Sequence, residues 1–166
     1  MLDPFCKVRC TIRSMTKTIR GGESCAIART VDVLSDPWAF LLLREALGGV
    51  TRFADFRAQL GVATDVLTAR LNALVEAGVL RRELYQESGS RTRTGYHLTE
   101  AGLALKVVIG AIQQWGDDHL PVPIGPTIAR RDRRTGEPIE VAFVNSKGRR
   151  LDLDNAEFVH TSAYPA

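Results

Sequence analysis

The sequence contains no apolar run approaching the 18 residues that a membrane-spanning helix needs, so no transmembrane segment is expected. Cysteine is scarce: Cys6, Cys10 and Cys25 are the only three in 166 residues. So few, and an odd number, cannot build a disulfide framework, which points to a reducing, cytoplasmic setting. Basic residues near the start are not followed by an apolar stretch, so a secretory signal is not expected. The three histidines, His97, His119 and His160, fall on a strand, a helix end and the tail. They form no Ser/His/Asp or Cys/His set, so the chain does not read as an enzyme. No glycine-rich phosphate loop is present, because Gly21-Gly22 and Gly48-Gly49 lack the strand–loop–helix context. Cys6 and Cys10 have C-x3-C spacing without further ligands nearby, so neither a metal nor a cofactor is expected. No internal repeat is present.

What remains is an ordinary globular composition, 45% apolar and 25% charged, with a net charge of +3. The charge is unevenly spread. Residues 1–24 hold five Lys/Arg against two acids, and residues 51–98 hold seven against five. From Thr99 to His119 only Lys106 stands against Glu100, Asp117 and Asp118. Positive charge is thus concentrated in the first two stretches and nearly missing from the third.

Residues 1–24 lack periodicity and read as a flexible basic N-terminal arm, in which Met15 is an alternative start to Met1. Ala26 to Leu34 fits a first helix with Ile27, Val31 and Leu34 on one face. Ser35-Asp36-Pro37 offers a capping oxygen followed by proline at an early helical position, which predicts a helix from Pro37 to Leu47. That helix is apolar nearly all round and should lie at the centre of the domain, with Gly48-Gly49 ending it. Thr51-Arg52 can form a short strand. Phe53 to Leu60 then reads as a helix with Phe53, Phe56 and Leu60 inward, and Gly61 as a turn. From Thr64 to Ala77 the spacing of Val66, Leu67, Leu71, Leu74 and Val75 predicts a longer helix, stopped by Gly78. Its other face, Asp65, Thr68, Ala69, Asn72 and Ala73, is polar or small. Val79 to Gln86 and Arg93 to Leu98 read as two strands around a turn-rich tip, Glu87 to Thr92.

Helix, tight turn, longer helix and basic hairpin is the order of a winged helix-turn-helix. The fold class expected is therefore mainly α with a small β-hairpin. Such an arrangement places its second helix in a DNA major groove and its hairpin against the backbone. Thr64, Asp65, Thr68, Ala69 and Asn72 are the candidate groove-facing residues. Arg70 is a candidate for a phosphate or a neighbouring acid, and Arg52, Arg91 and Arg93 for phosphates. Thr99 should cap one long final helix reaching His119. Ala101, Leu105, Val108, Ile112 and Trp115 form one apolar stripe on it, and Ala104, Val107 and Ala111 a second. Two apolar faces on a terminal helix exceed what a small domain needs, and a symmetric partner helix would cover the excess. After His119, Pro121, Pro123, Gly125 and Pro126 make a linker, and Pro138 to Leu153 reads as a small β-hairpin extension.

The segment from Cys25 to about Leu120 resembles the HxlR-type winged-helix transcriptional regulators. The likeness rests on Cys25 to Leu34, on Trp38 with Leu42-Leu43-Arg44-Glu45, and on Arg52-Phe53 with Phe56. It continues in Val66-Leu67-Thr68-Ala69-Arg70-Leu71 with Leu74, Gly78-Val79-Leu80, and Tyr96, Leu98-Thr99 and Gly102. The resemblance implies a winged domain over 25–120, which with the arm over 1–24 and the linker and extension over 121–166 makes three parts. It implies a homodimer on a roughly palindromic double-stranded operator, joined through the first and last helices. Ile27, Val31, Leu105, Val108, Ile112 and Trp115 are then the expected dimer contacts. Cys25, at the start of the first helix where negative charge is favoured, becomes a candidate redox-sensing residue. Modification of this thiol or a small effector would change operator affinity.

Three departures stand out. Ala63 occupies a position where the family commonly has a capping serine, so Thr64 or Asp65 is expected to cap instead. Asp65 is acidic on the expected DNA face. The tail lacks the paired cysteines that longer relatives can carry, so no zinc is expected there. The acidic Asp65 also supports an alternative, a sensor or protein-interaction module whose winged domain binds DNA weakly.

Overall fold

The computed structural model describes residues 24–34, 36–86, 88–89 and 91–162. The expected arm, Met15, Cys6 and Cys10 lie outside the described residues. Two compact units divide between Leu105 and Lys106.

The first unit contains α1 (Ala26–Val33), α2 (Pro37–Leu47), α3 (Phe53–Leu60), α4 (Thr64–Glu76), β1 (Leu80–Tyr85), β2 (Arg93–Leu98) and α5 (Glu100–Ala104). Local chemistry explains most of these boundaries. Asp36 accepts the Trp38 N–H at 2.8 Å and Pro37 follows as the first helical residue, which starts α2. Gly61, left-handed at φ 62°, returns its N–H to Arg57 O at 2.9 Å and ends α3. Gly78 (φ 72°) does the same work after α4. β1 and β2 pair antiparallel from Leu80↔Leu98 to Tyr85↔Arg93. The short strand expected at Thr51-Arg52 is a single bridge, Arg52↔Gly95, with Tyr96 N–H donating to Thr51 O at 2.7 Å.

Leu42 and Leu43 of α2, Phe56 of α3, Leu67, Leu71 and Leu74 of α4 and Leu80 of β1 are all fully buried and form the core. Each contributes about 1.5–3 kcal/mol on leaving water. This core seats α4 by one face only. Trp38, Phe40 and Leu41 of α2 are half-buried, so α2 is central without being enclosed on every side.

Two sequence-based expectations about the helices need correction. The single helix from Thr99 to His119 is broken at Leu105, whose N–H bonds to Gly102 O at 3.2 Å, a tightened turn that closes α5. Neither Thr64 nor Asp65 caps α4. The cap position is Ala63, extended at φ −62° and ψ 144°, and it offers no side-chain acceptor. Thr64 already has helical geometry, so its hydroxyl is not aimed back at the first N–H groups.

The second unit consists of α6 (Lys106–His119) and the tail that follows, with one 3-10 turn at Leu153–Asn155. The β-hairpin expected over Pro138 to Leu153 is not formed as paired strands: among the described residues the tail has two turns, each closed by one isolated bridge, Arg131↔Pro138 and Val144↔Arg150, too few backbone pairs to make a ladder. Side chains of α6 hold it by its backbone. Gln114 donates to Val141 O at 3.0 Å and accepts Val141 N–H at 2.8 Å. Gln113 donates to Ile128 O at 2.6 Å, and Arg130 pairs with Asp117 at 3.0 Å. Gly110 leaves room for the Val141 side chain, which lies 3.3 Å from where a Cβ would stand.

Candidate nucleic-acid interface

With Leu67, Leu71 and Leu74 turned into the core, helical periodicity puts Asp65, Ala69 and Asn72 on the opposite side. Asp65, Thr68 and Ala69 are exposed, Asn72 is half-buried, and Thr64 is exposed at the helix start. The face carries short side chains, as close approach to base edges requires. Thr68 Oγ1 donates to Thr64 O at 2.7 Å, which leaves its lone pairs and methyl group outward. The uncapped first turn leaves backbone N–H groups unclaimed by any side chain, a favourable place for a phosphate.

Arg70 belongs to the flank of this helix. Its Nε lies 3.0 Å from Asp36 Oδ2, an ion pair in distance that lacks hydrogen-bond alignment. Asp36 thus caps α2 with one oxygen and holds α4 with the other. Of the sequence alternatives for Arg70, the neighbouring acid is the partner seen.

Arg82 was not among the residues expected at this site. Its Nη2 donates to Asn72 Oδ1 at 2.7 Å, bringing a guanidinium from β1 beside the outer face of α4. Strand alternation carries the signal: Arg82 shares the face of the buried Leu80, which points toward the helices. The bond occupies the Asn72 carbonyl oxygen and leaves its amide N–H groups as donors.

On the hairpin's other face, Arg52 lies over the Tyr85 ring with Cζ 5.2 Å from the centroid. Tyr85 is the direct cross-strand partner of Arg93. Arg91 and Arg93 are exposed. Arg81 and Glu83 form an ion pair on the same face, and His97 Nε2 lies 3.3 Å from Glu83 Oε2. Arginines from the α3 cap, from β1 and from β2 therefore gather at the hairpin, within the unit that presents α4.

The remaining expected residues are elsewhere. Cys25 is the N-cap residue of α1, half-buried, with no side-chain capping bond. Ile27 and Val31 of α1 are 71% and 56% exposed, so their apolar faces are not used by the chain's own core. On α6, Val108, Ile112 and Trp115 are likewise exposed, while Leu105, at the end of α5, is half-buried. Among the described residues no group of three or more His, Cys, Asp or Glu could hold a metal ion, and no helix is long and apolar enough to cross a membrane.

Residues 33–123 match the model of the HxlR-like helix-turn-helix family. The HTH-type transcriptional regulator Rv3095 of Mycobacterium tuberculosis (strain ATCC 25618 / H37Rv) is 41% identical over 116 residues, which is 70% of this chain and 71% of that protein. The crystal structure of PA1607, a candidate transcription factor, superposes with a TM-score of 0.72 at 36% identity, over 83% of this chain and 96% of that one. The redox regulator HypR in its reduced form superposes at 0.52 with 27% identity, over 58% of this chain and 94% of that one.

Proposed function

This chain belongs to the HxlR-like helix-turn-helix family of transcriptional regulators, and from that premise we propose that it binds a roughly palindromic operator as a homodimer. The observation that carries the reading is the outer face of α4, short-sided and exposed, with the Arg82 guanidinium beside it, in a unit whose hairpin also carries Arg52 over Tyr85 and the exposed Arg93. Each α4 enters one major groove, with half-sites about one helical turn apart. Thr64, Thr68, Ala69 and Asn72 meet base edges. Arg52, Arg91 and Arg93 meet phosphates, which give affinity without sequence choice. Arg70, tied to Asp36, orients the helix.

Dimerisation is supported by exposed apolar side chains that the chain leaves uncovered. Ile27 and Val31 of α1 and Val108, Ile112 and Trp115 of α6 are among them. No described residue of 106–162 is buried, so this unit has no core of its own. A second copy of the chain supplies the missing cover.

The direct test is binding of the protein to DNA upstream of its own and the divergent gene, over a salt series. Arg91→Ala with Arg93→Ala is expected to weaken binding on every sequence and to lower the salt slope by about 2. Thr68→Ala is expected to change the preferred base while leaving that slope in place. If both variants bind the operator as the wild type does, the docking is wrong.

Control by a thiol is the second part of the proposal. HypR is a redox regulator of the same fold, and Cys25 stands at the start of α1, the helix that carries Ile27 and Val31. A small cavity lined by Asp32, Val33, Ala39, Arg70 and Leu74 among others lies between α1 and α4. Operator affinity is expected to change on treatment with diamide or a quinone, and Cys25→Ser to abolish that change. A response that survives Cys25→Ser removes the thiol from the mechanism. The alternative of a sensor or interaction module rests on Asp65, an exposed carboxylate on the face offered to DNA. Absence of salt-sensitive binding to any duplex would favour it.

A further inference from the structure

Within the tail beyond α6, residues 130–150 carry seven Lys/Arg against three acids, on two turns of similar construction, while three further acids follow at Asp152, Asp154 and Glu157. In the first, Asp132 Oδ1 accepts the N–H of Arg134 at 2.7 Å, and Asp132 N–H donates to Glu137 O at 2.8 Å. In the second, Asn145 Oδ1 accepts the N–H groups of Lys147 and Arg149 at 3.0 and 3.1 Å. Each short polar side chain folds its turn from within, a common role for Asx residues. The exposed residues include Arg131, Arg133 and Arg134 on one turn and Lys147 and Arg149 on the other, with Glu137 the one exposed acid of the two turns.

Each of the three acids of residues 130–150 has a contact of its own, though among the described residues only Glu140 is in an ion pair. Asp132 is turned into its own loop, Glu137 takes the Thr135 hydroxyl, and Glu140 pairs with Arg150. Arg130 is held by Asp117 of α6. Among the described residues, the five projecting cations make no ion pair with any carboxylate. Two cations are thus spent on holding the tail together, and five are left facing solvent.

We propose that these two turns form a second contact with the phosphate backbone of duplex DNA, outside the helix-turn-helix. This rests on the DNA-binding reading above. The turns hold guanidinium and ammonium groups on preformed loops, so little ordering is needed on binding. They offer no short-sided groove-reading face, so the contact carries affinity and no sequence choice. Gln113, Gln114 and Asp117 position the tail by its backbone and by Arg130. The basic residues are therefore free for a partner and need not serve the fold.

The experiment compares the full-length wild type with R133A/R134A/K147A/R149A and with R133K/R134K/R149K. Each is titrated over a salt series on two 30-base-pair duplexes, one from upstream of its own gene and one of random sequence. The alanine variant is expected to lose about 10–100-fold in affinity on both duplexes, with the salt slope falling by about 3–4. The lysine variant is expected to keep the wild-type slope, because a phosphate contact needs a charge and not a fork. The separate pairs R133A/R134A and K147A/R149A, each expected to lower the slope by about 2, serve if the fourfold variant folds poorly. An unchanged slope, or an affinity loss with the slope intact, overturns the proposal. If the wild type binds neither duplex, the DNA-binding reading itself fails. If it binds with a steep slope that the tail variants share, only the tail contact does.

Discussion

Trp115→Glu is expected to leave the chain monomeric and to weaken operator binding by about 10²–10⁴-fold, the gain that joining two half-site contacts ordinarily provides. Trp115 is 58% exposed in the single chain, with its ring 5.3 Å from that of His119 on the same helix. Val108 and Ile112, at helical spacing before it, are exposed as well. A tryptophan held so far out of any core is stabilised when a second apolar surface covers it. A glutamate in that position brings a carboxylate into the seam with no partner, and burying an unpaired charge is prohibitive. The fold of the first unit should be untouched, because its core is built from α2, α3, α4 and β1. Sedimentation velocity and operator titration of the same preparation give the answer. A variant that still sediments as a dimer removes Trp115 from the interface; a monomer with unchanged affinity removes dimerisation from the mechanism.

Gly102→Ala is expected to destabilise the winged unit by about 1–3 kcal/mol, the range for forcing extra volume into a packed site. On helix propensity alone the substitution would stabilise by about 1 kcal/mol. The sign reverses because a Cβ at Gly102 would stand 2.1 Å from Val79 O and 3.0 Å from Leu98 Cδ2. The carbonyl cannot yield cheaply, since it accepts Thr99 N–H at 3.1 Å and lies 3.2 Å from Thr99 Oγ1. Thr99 Oγ1 also donates to Gly78 O at 2.6 Å, so the start of α5 is clamped to the residues that end α4 and begin β1. Displacing it disturbs the joint between recognition helix and hairpin, and operator affinity should fall together with stability. Gly116→Ala in α6 is the control. Nothing lies within 4 Å of its would-be Cβ, so it should be neutral or stabilising by about 0.4–1 kcal/mol. Thermal unfolding of the two variants checks the contrast, and a Gly102→Ala protein that melts at or above the wild-type temperature would falsify the packing described.

Much of the winged domain was legible in the residues because its punctuation is local. Asp36-Pro37 starts α2, Gly61 and Gly78 end α3 and α4, and Thr99 caps α5 by accepting the Gly102 N–H at 3.1 Å. Each signal acts within a few residues, where backbone geometry and one hydrogen bond decide the outcome. The apolar spacing of Leu67, Leu71 and Leu74 likewise determined which side of α4 is turned outward, because a helix must bury its stripe.

The partners of that outer face were decided elsewhere. Arg82 reaching Asn72 and Arg70 reaching Asp36 join residues 10 and 34 positions apart, and Arg52 meets Tyr85 across the sheet. No periodicity encodes which acid or amide a long side chain will find. The break at Leu105 has no proline to announce it, and the stripe from Ala101 to Trp115 reads as continuous. The tail shows the same division. The turn at Asn145 to Gly148 falls at the tip of the hairpin expected there, while the turn at Asp132 to Gly136 and Gln114 grasping Val141 from 27 residues away were not expected from the residues. Sequence alone determined the helix-turn-helix and hairpin, since their signals are short-range and cooperative with one core. Tertiary structure alone decided which arginines hold the fold and which remain outward, since a charge finds its partner only after the chain has brought distant segments together.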